Sequence, residues 1–281
     1  NTAVGALALD ANTTADFNTA LGGRAMSANT TGENNTAVGD STLLANTTGS
    51  KNVAVGQGAM DGNTTADNNT AVGYQSLLSN TTGTFNTAVG SAALDANTTA
   101  SNNNAFGYGS LTNNTTGGNN CALGRDSLNE NQTGGGNSAF GHNALKSNTT
   151  GGANTAVGSG ALDANTTADN NTAVGFSCLG SNTTGTQNVG LGAYVFEDNT
   201  TGGQNTGLGY FALGNNTTAN NNTAVGFNSL SATTTGTENT AVGSGALAAN
   251  TTASYNTAVG HHALTTATTA TKNTAVGQDA L

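Results

Sequence analysis

The feature of this sequence with the clearest chemical meaning is the triplet Asn-Thr-Thr, which recurs along the whole chain. Asn followed two residues later by Thr is the acceptor pattern for N-glycosylation. The alternative is a turn that uses Asn because its side chain bonds nearby backbone and tolerates left-handed φ. We expect exposed Asn side chains here. The candidate glycosylation sites are Asn12, Asn29, Asn46, Asn63, Asn80, Asn97, Asn114, Asn131, Asn148, Asn165, Asn182, Asn199, Asn216 and Asn250.

Two exceptions separate the roles of the Asn and of the last Thr. The triplet begins with Thr233 in one unit and with Ala267 in another. Neither residue is comfortable at positive φ, so the backbone does not strictly require Asn. The last Thr persists in both units, as Thr235 and Thr269. The pattern therefore predicts an inward, hydrogen-bonding Thr and an exposed, dispensable Asn.

Carboxylate pairs flank some of these triplets, at Asp10 to Asp16, Asp61 to Asp67 and Asp163 to Asp169. Carboxylate and carbonyl oxygens of such turns are ligands that calcium accepts. Most other units lack the pair, so an ordinary solvated surface is the favoured interpretation. We expect no other cofactor.

Catalytic groups are sparse. His142, His261 and His262 lie at variable places, without a ligand spacing such as H-E-x-x-H, and we expect surface residues. A catalytic site needs unlike groups converging in one pocket, whereas a repeat spreads identical groups along a line. The sequence therefore predicts a protein that is not an enzyme.

All these features belong to a strict repeat. The Asn of each NTAVG-like phrase recurs every 17 residues, from Asn1 and Asn18 to Asn273, without insertion or deletion. We therefore number the unit positions one to seventeen. Sixteen complete units cover residues 1–272, and a partial unit covers 273–281, which predicts one repeat domain over 1–281.

The unit predicts an all-β fold. Gly at position five in every unit and dense Asn and Thr oppose helix, whereas short apolar stretches bounded by turn residues favour strands. We expect a parallel β-solenoid, or β-roll, with one 17-residue coil per repeat. Strands at positions two to four and seven to nine would flank the Gly turn, and the Asn-Thr-Thr segment would form the return. Positions two, four and nine would then point inward, because side chains alternate along a strand.

Position three would point outward, yet it is always Ala or Gly. Restriction to the two smallest residues indicates that another backbone comes close. The candidates are a neighbouring chain and the return segment of the same coil, and we favour a neighbouring chain. The predicted chain–chain packing face consists of Ala3, Ala20, Ala37, Ala54, Ala71, Ala88, Ala105, Ala122, Ala139, Ala156, Ala173, Gly190, Gly207, Ala224, Ala241, Ala258 and Ala275.

The composition of the chain limits the kinds of partner that it can bind. A net charge of −10 disfavours nucleic acid, which needs clustered Lys and Arg. No apolar run approaches the roughly 20 residues that span a bilayer. Cys121 and Cys178 lie three units apart, or about 14 Å at the strand spacing. That is too far for a disulfide, so we expect two small buried hydrophobes.

The phrase NTAVGxxAL resembles the SVAIGxxA phrase of the YadA-like head repeats of trimeric autotransporter adhesins, and similar phrases occur in phage-type fibres. Thr2, Ala3, Val4 and Gly5 map onto that family's inner strand and turn, whereas the Asn-Thr-Thr return makes this unit longer. The resemblance implies left-handed parallel β-rolls, three chains side by side, in extracellular surface fibres that mediate adhesion.

From these features we expect an extracellular structural protein, a rigid solenoid of a surface fibre, filament or adhesin. It would self-associate as a homotrimer or filament and contact glycans or a host-surface ligand. The alternatives are an ice-binding solenoid and a phage receptor-binding fibre. Against ice binding, Thr13 and Thr14 are adjacent, so at most one of them can share a face.

Overall fold

The computed structural model describes all residues from 1 to 281, which form short strands and turns without any helix. The chain divides into two compact units, Asn1–Asn137 and Ser138–Leu281. In each unit, every 17-residue repeat makes one coil with a three-residue strand at positions two to four. The predicted all-β parallel solenoid with one coil per repeat is confirmed.

The strands pair only with their counterparts in adjacent coils. In the first unit they are β1 (Thr2–Val4), β2 (Thr19–Leu21), β3 (Thr36–Val38), β4 (Val53–Val55), β5 (Thr70–Val72), β6 (Thr87–Val89), β7 (Asn104–Phe106) and β8 (Cys121–Leu123). In the second they are β9 (Ser138–Phe140), β10 (Thr155–Val157), β11 (Thr172–Val174), β12 (Val189–Leu191), β13 (Thr206–Leu208), β14 (Thr223–Val225), β15 (Thr240–Val242), β16 (Thr257–Val259) and β17 (Thr274–Val276). Within each unit the pairing is parallel and joins identical unit positions, as Thr2 with Thr19.

The Gly at position five is required by both backbone conformation and space. Gly73 has φ of 142°, a region that side chains other than hydrogen rarely enter. A Cβ on Gly73 would also lie 2.5 Å from the carbonyl oxygen of Gly90 in the next coil. This Gly therefore turns the chain at the end of each strand, as predicted.

The predicted second strand at positions seven to nine is wrong. Ala92 and Leu94 occupy these places in one coil with φ of 56° and 54°. Two successive tight turns result, in which Ala93 N–H donates to Gly90 O and Asn97 N–H donates to Leu94 O. The Leu94 N–H donates instead to the next coil, at Ser110 O. Because these turns curl the backbone inward, the Leu side chain reaches the centre of the coil.

The predicted assignment of strand faces is inverted. Positions two and four do share a side, but that side faces outward: Val72, for example, is 36% exposed. Position three faces inward, and Ala71 is fully buried. Of the predicted inward residues, only position nine is in the core, as with Leu77. The alternation of side chains along a strand correctly predicts that positions two and four share one side. It does not predict whether that side faces inward or outward, which depends on how much room the coil encloses.

The predicted chain–chain packing face is therefore buried inside its own chain. Every member beyond Ala3 of the terminal coil is buried: Ala20, Ala37, Ala54, Ala71, Ala88, Ala105, Ala122, Ala139, Ala156, Ala173, Gly190, Gly207, Ala224, Ala241, Ala258 and Ala275. The atoms that approach this position belong to side chains at positions eight and nine of the same chain, such as Cys178 and Val195 near Gly190. They belong neither to a second chain nor to the return segment, so neither predicted neighbour accounts for the restriction to Ala or Gly.

The two glycines at position three show how narrow the core is. A Cβ on Gly207 would lie 2.6 Å from Val195 Cγ1 and 2.9 Å from Phe196 Cε2. Those two residues are larger than the Ala and Leu that usually fill positions eight and nine. The interior holds a fixed volume per coil, so a larger side chain at one place requires a smaller one opposite.

Candidate functional site

The Asn residues at position twelve are buried hydrogen-bonding groups, so the prediction of exposed glycosylation sites is wrong. Asn12 in the terminal coil is half-buried. The thirteen others have no exposed surface: Asn29, Asn46, Asn63, Asn80, Asn97, Asn114, Asn131, Asn148, Asn165, Asn182, Asn199, Asn216 and Asn250. An N-linked sugar needs a free Nδ2 at the surface, and the folded coil does not provide one.

Within each of the two compact units, these side chains form an amide ladder from coil to coil. The Nδ2 of Asn46 donates to Oδ1 of Asn29 at 2.8 Å and to the Gly49 carbonyl at 2.9 Å. The other Asn–Asn bonds of the row measure between 2.6 and 3.1 Å. Buried amides need such partners, because an unsatisfied polar group costs about 1–3 kcal/mol. The Asn is thus structural, in the manner of stacked amides in cross-β arrays.

The Asn at position one closes the interior polar network. Asn35 N–H donates to Oδ1 of Asn18, and Asn18 Nδ2 donates to the Gly32 carbonyl. Asn29 Nδ2 donates to that same carbonyl. This Asn is therefore structural: its amide oxygen usually accepts a backbone N–H, whereas the amide-to-amide ladder belongs to position twelve.

The two threonines of the triplet have different roles. At position thirteen, Thr47 Oγ1 donates to the Thr64 carbonyl of the next coil at 3.1 Å. At position fourteen, every Thr of the sixteen complete units is exposed, and none of their hydroxyls bonds to another residue. The expectation of an inward, hydrogen-bonding Thr at position fourteen is wrong.

In each of the two compact units, the outer face of the strands carries an apolar row at position four. We call it the outer stripe: Val4, Leu21, Val38, Val55, Val72, Val89, Phe106, Leu123, Phe140, Val157, Val174, Leu191, Leu208, Val225, Val242, Val259 and Val276. All seventeen are Val, Leu or Phe, although none is fully buried. Leu123 and Leu191 are about half exposed. The chain's own core therefore does not explain why this position stays apolar.

The two cysteines differ in surroundings. Cys178 is buried, and burial raises the pKa of its thiol to about 12. Cys121, in β8, is half-exposed beside the outer stripe, because position two faces outward. Both are free thiols. The expectation of a small buried residue holds for Cys178 and is wrong for Cys121.

Aromatic residues at positions six and seven make a ladder on the second unit. Ring centroids lie 5.3 Å apart between Phe176 and Tyr194, 5.8 Å between Tyr194 and Tyr210, and 5.7 Å between Tyr210 and Phe227. Edge-to-face and stacked pairs at these distances stabilise by about 0.5–1.5 kcal/mol each. The rings contact one another from coil to coil.

Titratable groups converge at one place, near the end of the second unit. One ligand atom from each of His261, His262 and Asp279 lies within 4.8 Å of the others, and all three residues are exposed. Sequence reasoning treated the histidines as isolated and missed this cluster. The signal is the repeat itself: residues 17 apart are neighbours in a solenoid, and Asp279 follows His262 by 17.

The acidic turns do not join this cluster. Asp67 Oδ1 accepts the Ser50 N–H of the preceding coil, and Asp169 Oδ1 accepts the Gly152 N–H in the same way. Burial raises the pKa of the Asp61 carboxyl, and Arg24 partly offsets that effect. Asp61 also lines a shallow open depression with Leu78.

Fold and site together define a parallel β-solenoid of 17-residue coils with a polar Asn interior. The chain matches no family model, curated protein or solved structure in any of the three comparisons. None of its segments forms a helix that could cross a membrane.

Proposed function

We propose that this protein is a structural building block that self-associates through its outer stripe into a multichain assembly, part of an extracellular fibre. The observation that carries the proposal is the outer stripe itself. A position that is exposed in a single chain, yet apolar in all seventeen units, is explained by a second surface that covers it.

The size of the stripe supports a protein–protein contact. Nine three-residue strands at the usual spacings make a surface of about 40 Å by 10 Å, or about 400 Å². The outer stripe shares this surface with position two, and the largest apolar patch on a typical monomer, about 300–600 Å², is often functional. One such face is about half of the 800 Å² per partner that a standard interface buries.

A second copy of the chain is the partner that fits best. The stripe repeats once per coil, so only a surface with the same period can match it along its length, and another copy has that period by construction. The stripe contains no charged residue, so no like charges are buried against each other where two copies meet, although each chain has a net charge of −10. The resemblance to trimeric adhesin heads supports three chains and a place on a cell-surface fibre.

The test uses the native cysteines. Maleimide should label Cys121, which is half-exposed beside the stripe, and leave Cys178 unmodified in the folded protein, because Cys178 is fully buried and its thiol is the less able of the two to form the reactive thiolate. Raising the protein concentration should slow the labelling of Cys121, because a second copy then covers it. Over the same concentration range, sedimentation velocity should show species larger than one chain. Leu123→Lys on the stripe should abolish both effects.

Asn119→Lys is the matched control. It adds the same charge four residues away, at position seventeen, where Lys51 is already accommodated. This variant should assemble as the wild type does. Sedimentation of the wild type as a single chain at every concentration, or equal assembly of both Lys variants, would overturn the proposal.

Ice binding is a second candidate, and one observation favours it. Position two, which is Thr in twelve of the seventeen units, faces outward beside the stripe on a parallel sheet. Rows of Thr hydroxyls and Val methyls at a regular spacing could order water on that face. A face covered by a second copy is not free for ice, so thermal hysteresis of the wild type, measured at concentrations where sedimentation velocity shows a single chain and where it shows assembly, separates the two functions.

A further inference from the structure

We infer that His261, His262 and Asp279 form a site for a borderline divalent cation, with Zn²⁺ as its representative. The inference is independent of self-association, since these side chains lie at unit positions six and seven and not on the outer stripe. The position of the cluster follows from the repeat, because His262 and Asp279 occupy the same unit position in adjacent coils.

The donor geometry is close to what a single ion needs. His262 Nδ1 lies 3.7 Å from Asp279 Oδ1, and the ligand atoms of all three residues lie within 4.8 Å of one another. Two ligands on one tetrahedral Zn²⁺, each at about 2.1 Å, are about 3.4 Å apart. Small side-chain rotations therefore suffice to bring the three atoms around one cation.

The backbone holds the ligands at this separation. Asp279 N–H donates to the His261 carbonyl at 2.9 Å, and His262 N–H donates to the Ser244 carbonyl at 2.9 Å. The His262 ring lies over Gly245 of the preceding coil, where a Cβ would collide with it. Glycine at position seven of that coil thus leaves room for the imidazole. The rings of His261 and His262 stack with centroids 3.8 Å apart, so both point to the same side.

The ligand set selects the chemistry of the ion. Two imidazoles and one carboxylate suit Zn²⁺, Cu²⁺ or Ni²⁺, whereas Ca²⁺ and Mg²⁺ prefer oxygen ligands. Three protein ligands leave a fourth tetrahedral position for water. Because the ligands come from two coils, a bound ion would cross-link the last two coils of the chain.

The experiment is Zn²⁺ titration of the untagged full chain by isothermal calorimetry, with hydrogen exchange as a second readout. We expect one Zn²⁺ per chain and slower amide exchange over residues 256–281 in its presence. Asp279→Asn and His262→Asn should each weaken Zn²⁺ binding by about tenfold or more. Both variants should fold, because Asn143 and Asn228 occupy the same unit position in other coils.

His142→Ser is the matched control, and its partner variant is His261→Ser. Both histidines lie at position six, and Ser159 and Ser244 show that this position accepts Ser. We expect His261→Ser to weaken Zn²⁺ binding and His142→Ser to leave it unchanged. Absence of stoichiometric Zn²⁺ binding by the wild type, or wild-type affinity in the Asp279→Asn and His262→Asn variants, would refute the site.

Discussion

Asn250 Nδ2 lies 3.4 Å from the hydroxyl oxygen of Thr233, one coil earlier in the position-twelve row. Elsewhere this place in the ladder is a shorter Asn–Asn bond, such as the 2.6 Å from Asn216 Nδ2 to Asn199 Oδ1. The Thr233 hydroxyl donates instead to the Asn250 carbonyl, at 3.2 Å. As a result, Oδ1 of Asn216 is buried without a donor. One natural substitution thus interrupts the amide ladder of the second unit.

Thr233→Asn should repair the ladder. The new amide would donate to Asn216 Oδ1 and accept from Asn250 Nδ2, as its equivalents do in other coils. We expect the free energy of unfolding to rise by about 1–2 kcal/mol, because a buried orphan acceptor gains its partner. Chemical denaturation measures this. Thr234→Asn, one residue later, is the control and should not stabilise; an equal gain in both variants would contradict the ladder explanation.

A double-mutant cycle tests the fixed core volume. Gly207→Ala should destabilise by about 1–3 kcal/mol, because the added methyl meets Val195 and Phe196. Phe196→Leu restores the residue that most coils have and makes room for that methyl. Together the two changes should cost less than the sum of the single changes, with a coupling of about 0.5–3 kcal/mol. Strict additivity in denaturation experiments would show that the two positions do not share space.

Asp95 should limit stability at neutral pH. Burial raises the pKa of its carboxyl above the ordinary 3.8, and its Oδ1 is buried without a partner. Because the folded-state pKa is raised, the stabilisation exists below pH 3.8 and is lost as the pH rises through the folded-state value. Asn129, at the same unit position, donates from Nδ2 to the Gly109 carbonyl of the preceding coil.

Asp95→Asn should therefore stabilise at pH 7 by about 1 kcal/mol or less, with Nδ2 donating to the equivalent Gln75 carbonyl. The gain should shrink below the folded-state pKa, where the protonated carboxyl can donate instead. Thermal unfolding of both proteins between pH 3 and pH 7 measures this difference. A gain that is independent of pH would show that the charge of Asp95 is not its cause.

Two glycines should respond differently to the same substitution. Gly73→Ala places a Cβ at φ of 142°, against the Gly90 carbonyl, and should severely destabilise the coil or prevent folding. Gly58→Ala, at position seven with φ of 67°, finds its nearest atom at 3.5 Å, and Ala92 already occupies that position elsewhere. We expect at most about 1 kcal/mol of destabilisation for Gly58→Ala. Comparable losses in circular dichroism melts would refute the distinction.

The periodicity of the sequence predicts much of the architecture. The 17-residue spacing from Asn1 to Asn273 predicts the length of one coil, and the apolar stretch at positions two to four predicts the strand that pairs with its counterpart in the next coil. The Gly at position five, such as Gly73, predicts the turn after that strand. The step also made residues 17 apart neighbours, so the pairing of His262 with Asp279 was present in the sequence. His261 and His262 alone do not have the spacing of a metal-binding motif, because the third ligand belongs to the next coil.

The sequence by itself determined the fold class, the length of the coil and the positions under constraint. Only the tertiary structure decided which side of the backbone each constrained position faces. Ala71 and Val72 are adjacent and equally restricted, and either could have lined the interior. The interior admits only a methyl beside Leu77, because the positive φ of Gln75 and Leu77 carries that Leu into the centre. The tertiary structure also places Asn80 inside the coil and Thr82 outside. The buried amide of Asn80 is satisfied by its equivalent, Asn63, in the neighbouring coil.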